Sequence, residues 1–285
     1  MIAFPQGSHA FRHPAVTLLR HYGLGTETPV DVNPYIVSIL SLHSLHQGKH
    51  REDVREFIQW YFSRLNYPDK YGLTGTIYDH TVRGEAEESR GEYDSVDGYA
   101  GLFLTLLWTY TEKTGDPTFL KQHRSNIRDI AYLLAILLDP DGLTLALPKG
   151  RVKYFMNNCE AYGGIRAFNK ILRLLDQTDN AYELFEGAMR KGILRHFHDL
   201  QRGNFFWAIS GEKKWESIWE KKYPDAFAQI FAIFYSLLED HPGLEKHLWK
   251  RFTVAHGTTT DAFPVEQRLM IQMARDRFLD RHKNF

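Results

Sequence analysis

A three-residue pattern recurs along this chain at almost constant intervals, and it constrains the fold more than any other feature. The pattern is a polar residue that can cap a helix, then a small residue or proline, then an aromatic residue. It occurs at Asn33-Pro34-Tyr35, Asp97-Gly98-Tyr99, Glu160-Ala161-Tyr162, Asp225-Ala226-Phe227 and Asp261-Ala262-Phe263. The first four occurrences are 64, 63 and 65 residues apart. A period of this length predicts a repeated unit of helices and short strands.

Each repeat has the same predicted content. In the second repeat, apolar periodicity predicts a helix over 97–114 and a second helix over 118–138, separated by a turn at 115–117. An extended segment over 144–147 follows. Because one hairpin cannot bury its apolar face alone, neighbouring hairpins must cover it. We therefore predict an all-α protein with a single domain over 1–285.

The predicted architecture is an (α/α) toroid, or barrel, of five to six helical hairpins with short β segments between hairpins. Further predictions are a first helix over 9–22, a short strand over 74–78, and helices over 160–176 and 225–239. Helices that are apolar nearly all round suit an inner ring, and amphipathic helices suit an outer ring.

In such a toroid every inner helix begins on the same side, so the repeated starts should surround one opening. Taken singly, Asp97, Glu160, Asp225 and Asp261 can be read as helix caps. Taken together, several carboxylates around an aromatic opening indicate a pocket that cleaves glycosidic bonds, which requires two opposed carboxylates. We predict Glu160 as the general acid and Asp97 or Asp225 as the base or nucleophile. Asp94 would bind a sugar hydroxyl or support Asp97.

Aromatic side chains are abundant, at 14% of the chain, and their faces can stack on sugar rings. Core packing is the alternative role for each of them. The candidate sugar-binding aromatics near the repeated starts are Tyr93, Tyr99, Tyr162, Trp207, Trp215, Trp219 and Tyr223, with Tyr78 and Tyr154 as further members. Arg151 lies in a basic segment over 149–153, which is either a solvated loop or a group that pairs with an acidic sugar.

The same residues carry a family resemblance. Tyr93-Asp94-Ser95-Val96-Asp97-Gly98-Tyr99 resembles the aspartate-rich helix start of the six-hairpin glycosidases, which include glucoamylase-like, debranching-type and unsaturated-glucuronyl hydrolases. Residues 157–164 and 223–229 are similar to further helix starts of these enzymes. The resemblance implies an α/α barrel and glycoside hydrolysis, and it supports Asp97 and Glu160 as functional acids by position.

Two other functions stay open. N-acylglucosamine epimerase-like enzymes share the α/α barrel and use histidines for proton transfer, and here His80 and His256 are the candidates, with His80 expected to face the opening. The other alternative is a glycan-binding toroid without catalytic activity, serving a polysaccharide pathway.

Composition excludes several partners. The formal net charge is zero, which gives no support for binding nucleic acid or a membrane surface, and no run of about 18 apolar residues predicts a membrane span.

Cys159 is the single cysteine, and the spacing of His196 and His198 on a helix directs their rings apart, so neither a metal site nor a cofactor is expected. The expected partner is a carbohydrate. Residues 1–7 show no signal peptide, which favours a cytoplasmic location.

Overall fold

The computed structural model describes residues 12–257 and 261–283. Its α-helices are α1 (Pro14–His21), α2 (Pro34–His46), α3 (Arg51–Ser63), α4 (Val96–Thr114), α5 (Thr118–Gln122), α6 (Arg124–Ile136), α7 (Phe155–Leu174), α8 (Asn180–His196), α9 (Phe227–Phe234), α10 (Pro242–His256) and α11 (Val265–Arg281). A π-helical turn, Lys222–Ala226, precedes α9.

Five helices, α2, α4, α7, α9 and α11, follow one another around a ring in which each contacts the next. Outside them, α3 packs on α2, α6 on α4 and α7, α8 on α7, and α10 on α9. Most residues of α4, α7 and α9 are buried, because these helices have neighbours on all sides. The predicted all-α toroid of helical hairpins is confirmed.

Glycines let α4 and α7 approach closely. A Cβ atom on Gly101 would lie 2.3 Å from the backbone oxygen of Glu160, and one on Gly164 would lie 2.5 Å from the Cα of Gly101. Both distances are far below van der Waals contact, so any larger residue would force the helices apart. Gly101 and Gly164 therefore let α4 pack closely against α7 at Glu160.

Short antiparallel sheets connect the hairpins. One sheet has the order β1 (Val30–Val32), β2 (His80–Arg83) and β3 (Ala86–Ser89), with Val32 opposite His80. A second has the order β4 (Lys153–Tyr154), β7 (Ala208–Ser210) and β8 (Lys213–Trp215), and β5 (His198–Asp199) pairs with β6 (Asn204–Phe205). Within the described ranges, no helix is both long and apolar enough to cross a bilayer.

Several predicted boundaries are wrong. The segments 74–78 and 144–147 each form a single bridge, at Thr76 and Thr144, rather than a strand. The helix predicted over 118–138 divides at His123 into α5 and α6, and the one predicted over 225–239 ends at Phe234, shortly before Ser236 adopts a left-handed φ of 56°.

Helix α4 begins within one residue of its predicted start and ends at the predicted residue, and Gly115 follows it in the left-handed conformation that ends helices. Of the predicted helix over 9–22, residues 9–11 lie outside the described ranges, as does the segment 1–7 considered for a signal peptide.

Candidate functional site

A pocket of about 250 Å³ lies at the N-terminal ends of the ring helices. All five ring helices contribute to its wall, as the repeated starts predicted. We call it the helix-start pocket, and its lining residues are Asn33, Tyr35, Ile36, Ile39, Asp94, Ser95, Tyr99, Met156, Asn157, Glu160, Tyr223, Phe227, Glu266 and Gln267.

Glu160 is the most unusual group in this pocket. It lies in the second turn of α7, only 1% exposed, and its Oε1 accepts a hydrogen bond of 2.6 Å from the Tyr35 hydroxyl. Burial raises the pKa of Glu160 well above its usual range; the bond from Tyr35 lowers it, and the charges of Asp97 and Asp94 raise it again. Burial therefore favours the protonated form of this carboxyl group, because desolvation disfavours its charged form.

When Glu160 carries a proton, Oε2 is the oxygen free to hold it, since Oε1 already accepts from Tyr35. A Cβ atom on residue 98 would lie 2.8 Å from Oε2, so Gly98 leaves the space in which this oxygen sits. Glu160 was expected near a helix N-terminus. It lies in the second turn instead, because α7 begins earlier, at Phe155, whose N–H donates a hydrogen bond to the Trp207 carbonyl.

Asp97 is fully buried and does not line the pocket. Its carboxylate accepts hydrogen bonds from the Asn157 amide at 2.9 Å, the Thr144 hydroxyl at 2.7 Å and the Gly98 N–H at 2.8 Å. Burial raises the pKa of Asp97 to about 6, although these bonds lower it. Through Asn157, which does line the pocket, Asp97 holds part of the wall in place.

Two other carboxylates line the helix-start pocket. Asp94 is an exposed residue just before α4, and Glu266 is a half-exposed residue in the first turn of α11. Both Asp94 and Asp97 raise the pKa of Glu160 by their charge. The pocket wall thus combines a buried carboxyl group, whose pKa burial raises, with carboxylates that reach solvent.

Asp225 and Asp261 lie elsewhere. Asp225 is 5% exposed and accepts the Ile218 N–H at 2.9 Å, which fastens the preceding loop to the start of α9. Asp261 is exposed and 3.8 Å from Arg268. Neither residue lines the helix-start pocket.

The predicted tyrosines divide into wall and core. Tyr99 and Tyr223 line the pocket; Tyr99 accepts from Asn33, donates to Asp79 and stacks near Tyr35, whereas Tyr223 is 61% exposed at the rim. Tyr93 lies outside the pocket and donates to Asp69. Tyr162 is 1% exposed and belongs to the core.

Three aromatic rings form a row beside the pocket. Trp207 stacks on Tyr154 with ring centroids 6.4 Å apart and lies 5.8 Å from Trp215. All three are half-buried. Trp219, in contrast, is 7% exposed beneath the Arg251 guanidinium, so its ring has no open face for a sugar. None of these tryptophans lines the pocket.

The predicted histidines do not meet. His80 is a buried residue of β2 with its Nε2 3.6 Å from Glu87, and burial lowers its pKa. His256 bonds the Trp219 carbonyl at 2.7 Å. Neither lines the helix-start pocket, and the expectation that His80 faces the opening is wrong. Arg151 is exposed beside a separate groove.

The sequence did not single out Tyr35, Asn157, Gln267 or Glu266, which all line the pocket. Tyr35 is the aromatic residue of the first repeat. Asn157 is the first residue of the segment 157–164 that resembles a helix start. Neither residue was assigned a role from the sequence. Gln267 carries a buried amide oxygen for which the described residues supply no hydrogen-bond partner, although buried polar atoms normally have one.

Solved structures share this architecture. An uncharacterized conserved protein from Thermus thermophilus superposes with a TM-score of 0.66, at 12% identity, over 94% of this chain and 86% of its own. A GH63 mannosylglycerate hydrolase from the same organism, in complex with glucose, gives 0.65 at 12% identity over 95% and 86%. A cellobiose 2-epimerase from Bacillus thermoamylovorans gives 0.55 at 10% identity over 86% and 72%.

No protein-family model and no curated protein matches the sequence. The structural similarities show the fold: the chain has the six-hairpin glycosidase-like fold, as the resemblance at 93–99 implied.

Proposed function

We propose that this protein is a glycoside hydrolase that cleaves a glycosidic bond of an oligo- or polysaccharide in the helix-start pocket. The observation that carries the proposal is Glu160, a buried carboxyl group whose pKa burial raises well above its usual range, in a pocket whose wall also holds solvent-accessible carboxylates. Glycoside cleavage uses such a pair, because one group must give a proton while the other is charged.

In the proposed mechanism Glu160 donates the proton on Oε2 to the leaving oxygen of the glycosidic bond. Tyr35 holds the other oxygen and orients the acid. Asp94 is the best-supported second carboxylate, because it lines the same pocket and is exposed. It would activate water or attack the anomeric carbon.

Asp97 takes a different role in this proposal from the one expected from sequence. Because Asp97 is fully buried and accepts three hydrogen bonds, it serves as a positioning residue for Asn157. Asp225 is left out of the mechanism, since its carboxylate bonds the Ile218 backbone outside the pocket.

The substrate is proposed to be a carbohydrate that places one or two sugar residues in the pocket. The volume, about 250 Å³, is below the roughly 300–1,000 Å³ typical of pockets for drug-sized ligands. Tyr223, which is 61% exposed at the rim of the pocket, offers a ring face on which a sugar can stack. The names of the mannosylglycerate hydrolase and the cellobiose 2-epimerase support a sugar substrate.

Product analysis over a panel of oligosaccharides tests the proposal. We expect a new reducing end from at least one substrate, with the release abolished in Glu160→Gln. Saturable binding without cleavage of any substrate would instead indicate a glycan-binding toroid. Solvent deuterium at a sugar carbon without cleavage would indicate epimerisation, and the proposal would then be wrong.

A further inference from the structure

A group of ligand-type side chains lies at the opposite end of α2 from the helix-start pocket. His21 is the last residue of α1, His50 immediately precedes α3, and Asp53 is in the first turn of α3. Asn33, at the start of α2, lines the pocket, and the 13 residues of α2 span about 20 Å. The group is therefore separate from the proposed active site. We call it the His–Asp cluster.

The three side chains converge on a small volume. His21 Nε2 is 2.8 Å from Asp53 Oδ2, and His50 Nδ1 is 3.6 Å from the same oxygen. The two imidazole rings stack with centroids 3.8 Å apart and planes 21° from parallel. One ligand atom from each residue lies within 4.8 Å of the other two.

These separations are close to those of a metal site. Tetrahedral Zn²⁺ binds imidazole nitrogen and carboxylate oxygen at about 2.0–2.2 Å, so its ligand atoms lie roughly 3.3 Å apart. The cluster thus needs changes of at most about 1.5 Å in these separations to surround an ion. Two imidazoles and one carboxylate are a donor set that suits Zn²⁺ and related transition metals better than Mg²⁺ or Ca²⁺.

The backbone supports the same arrangement. His50 has a φ of 52°, the left-handed conformation that side chains other than glycine rarely adopt. This turn directs His50 toward α1, which packs on α3. Asp53 is buried, and its other oxygen, Oδ1, is paired with Arg12.

Arg12 also sets a limit on affinity, because its positive charge repels a cation bound at Oδ2. It has a second acidic neighbour, Glu56, at 3.8 Å, so its charge is shared between two carboxylates. Removal of Arg12 should therefore strengthen cation binding at the cluster.

We propose that His21, His50 and Asp53 form a site for a divalent transition-metal ion of the Zn²⁺ type, which fastens the end of α1 to the start of α3. The ion would be held by one nitrogen from each imidazole and Oδ2 of Asp53, with water completing its coordination. The proposal does not depend on the function of the helix-start pocket. No sequence motif indicates this site, because its residues do not follow the spacing of a known metal-binding pattern.

The test is titration calorimetry of the full chain with ZnCl₂ after treatment with a chelator. We expect one saturable site per chain, with affinity reduced at least tenfold, on the order of what loss of a metal-supporting group causes, in His21→Gln, His50→Gln and Asp53→Asn. The matched control is His46→Gln, a nearby histidine paired with Asp276, which should bind Zn²⁺ as the parent chain does.

Two further measurements keep the test independent of misfolding. Each variant should unfold at nearly the parent temperature in the presence of chelator, and Zn²⁺ should raise the unfolding temperature of the parent chain and of His46→Gln only. Arg12→Ala should bind more tightly. The proposal is overturned if the parent chain has no saturable site, if the three cluster variants bind Zn²⁺ unchanged, or if Arg12→Ala abolishes binding.

Discussion

Glu160 and Asp225 occupy the same position of the repeated sequence pattern but lie in opposite kinds of environment. Glu160 lies in the second turn of α7, faces the helix-start pocket and receives one hydrogen bond, from a tyrosine. Asp225 lies in the π-helical turn before α9 and accepts a backbone N–H from a loop. Glu160 is thus placed at the pocket wall with a raised pKa, whereas Asp225 stabilises the scaffold.

The difference arises from where each helix begins. Because α7 starts at Phe155, Glu160 is carried inward against α4, where glycines leave room for it. Before α9, the acid stays outside the regular helix and meets the loop at Ile218. A repeated motif therefore identifies where chemistry can occur, while the register of each helix decides which copy performs it.

Replacing Glu160 and Asp225 by their amides should show the difference between the two acids most clearly. Glu160→Gln should reduce turnover by about 10²–10⁴-fold, the usual contribution of a general acid, because the amide has no proton to donate. Asp225→Asn is the matched control and should keep turnover near that of the parent chain, since its amide oxygen can still accept from Ile218. Steady-state rates on a cleaved glycan measure both. Equal losses would contradict the distinction.

Asp94→Asn tests the second carboxylate. Turnover should fall about 10²-fold, within the range expected for a catalytic base, since the amide cannot activate water or attack carbon. Glu266→Gln alters the other solvent-accessible acid of the pocket and should have a much smaller effect on turnover. A larger loss in Glu266→Gln than in Asp94→Asn would move the role to α11.

The raised pKa of Asp97 should make the free energy of unfolding depend on pH. Its pKa is about 6 in the folded chain against an ordinary value of 3.8, so the folded state binds the extra proton between these values. Asp97 therefore contributes roughly 3 kcal/mol to the free energy of unfolding below about pH 4. This contribution is lost as the pH rises through 6.

Denaturant unfolding of the parent chain and of Asp97→Asn across pH 4 to 8 measures this contribution. Because the variant cannot titrate at position 97, its stability should fall less steeply with rising pH than that of the parent chain. Parallel pH curves would show that Asp97 is ionised at little cost, contrary to its complete burial.

The smallest effect concerns Tyr35. Its hydrogen bond lowers the pKa of Glu160, so Tyr35→Phe should raise that pKa further. Activity that requires protonated Glu160 is lost as pH rises through its pKa, and the alkaline limb of the rate profile should therefore move to higher pH. Turnover at neutral pH should fall by no more than about tenfold. A shift to lower pH would contradict the role of Tyr35.

The sequence predicted the ring and its opening well, because period, capping and apolar faces are local signals. It placed α4 within one residue, since Gly115 ends it. It failed for the start of α7, where the Phe155 N–H bonds the carbonyl of the distant residue Trp207, and for α11, where Glu266 rather than Asp261 reaches the pocket. Burial and distance between helices depend on tertiary packing, so the roles of Asp97 and Tyr35 could not be read from the pattern.

The central claim, that Glu160 protonates the leaving group, is tested most directly with aryl glycosides that differ in leaving-group acidity. A good leaving group departs without a proton, whereas a poor one needs it. Turnover of Glu160→Gln should therefore fall by the full general-acid factor of about 10²–10⁴ on the poor leaving group and far less on the good one. An equal loss on both substrates would contradict the claim.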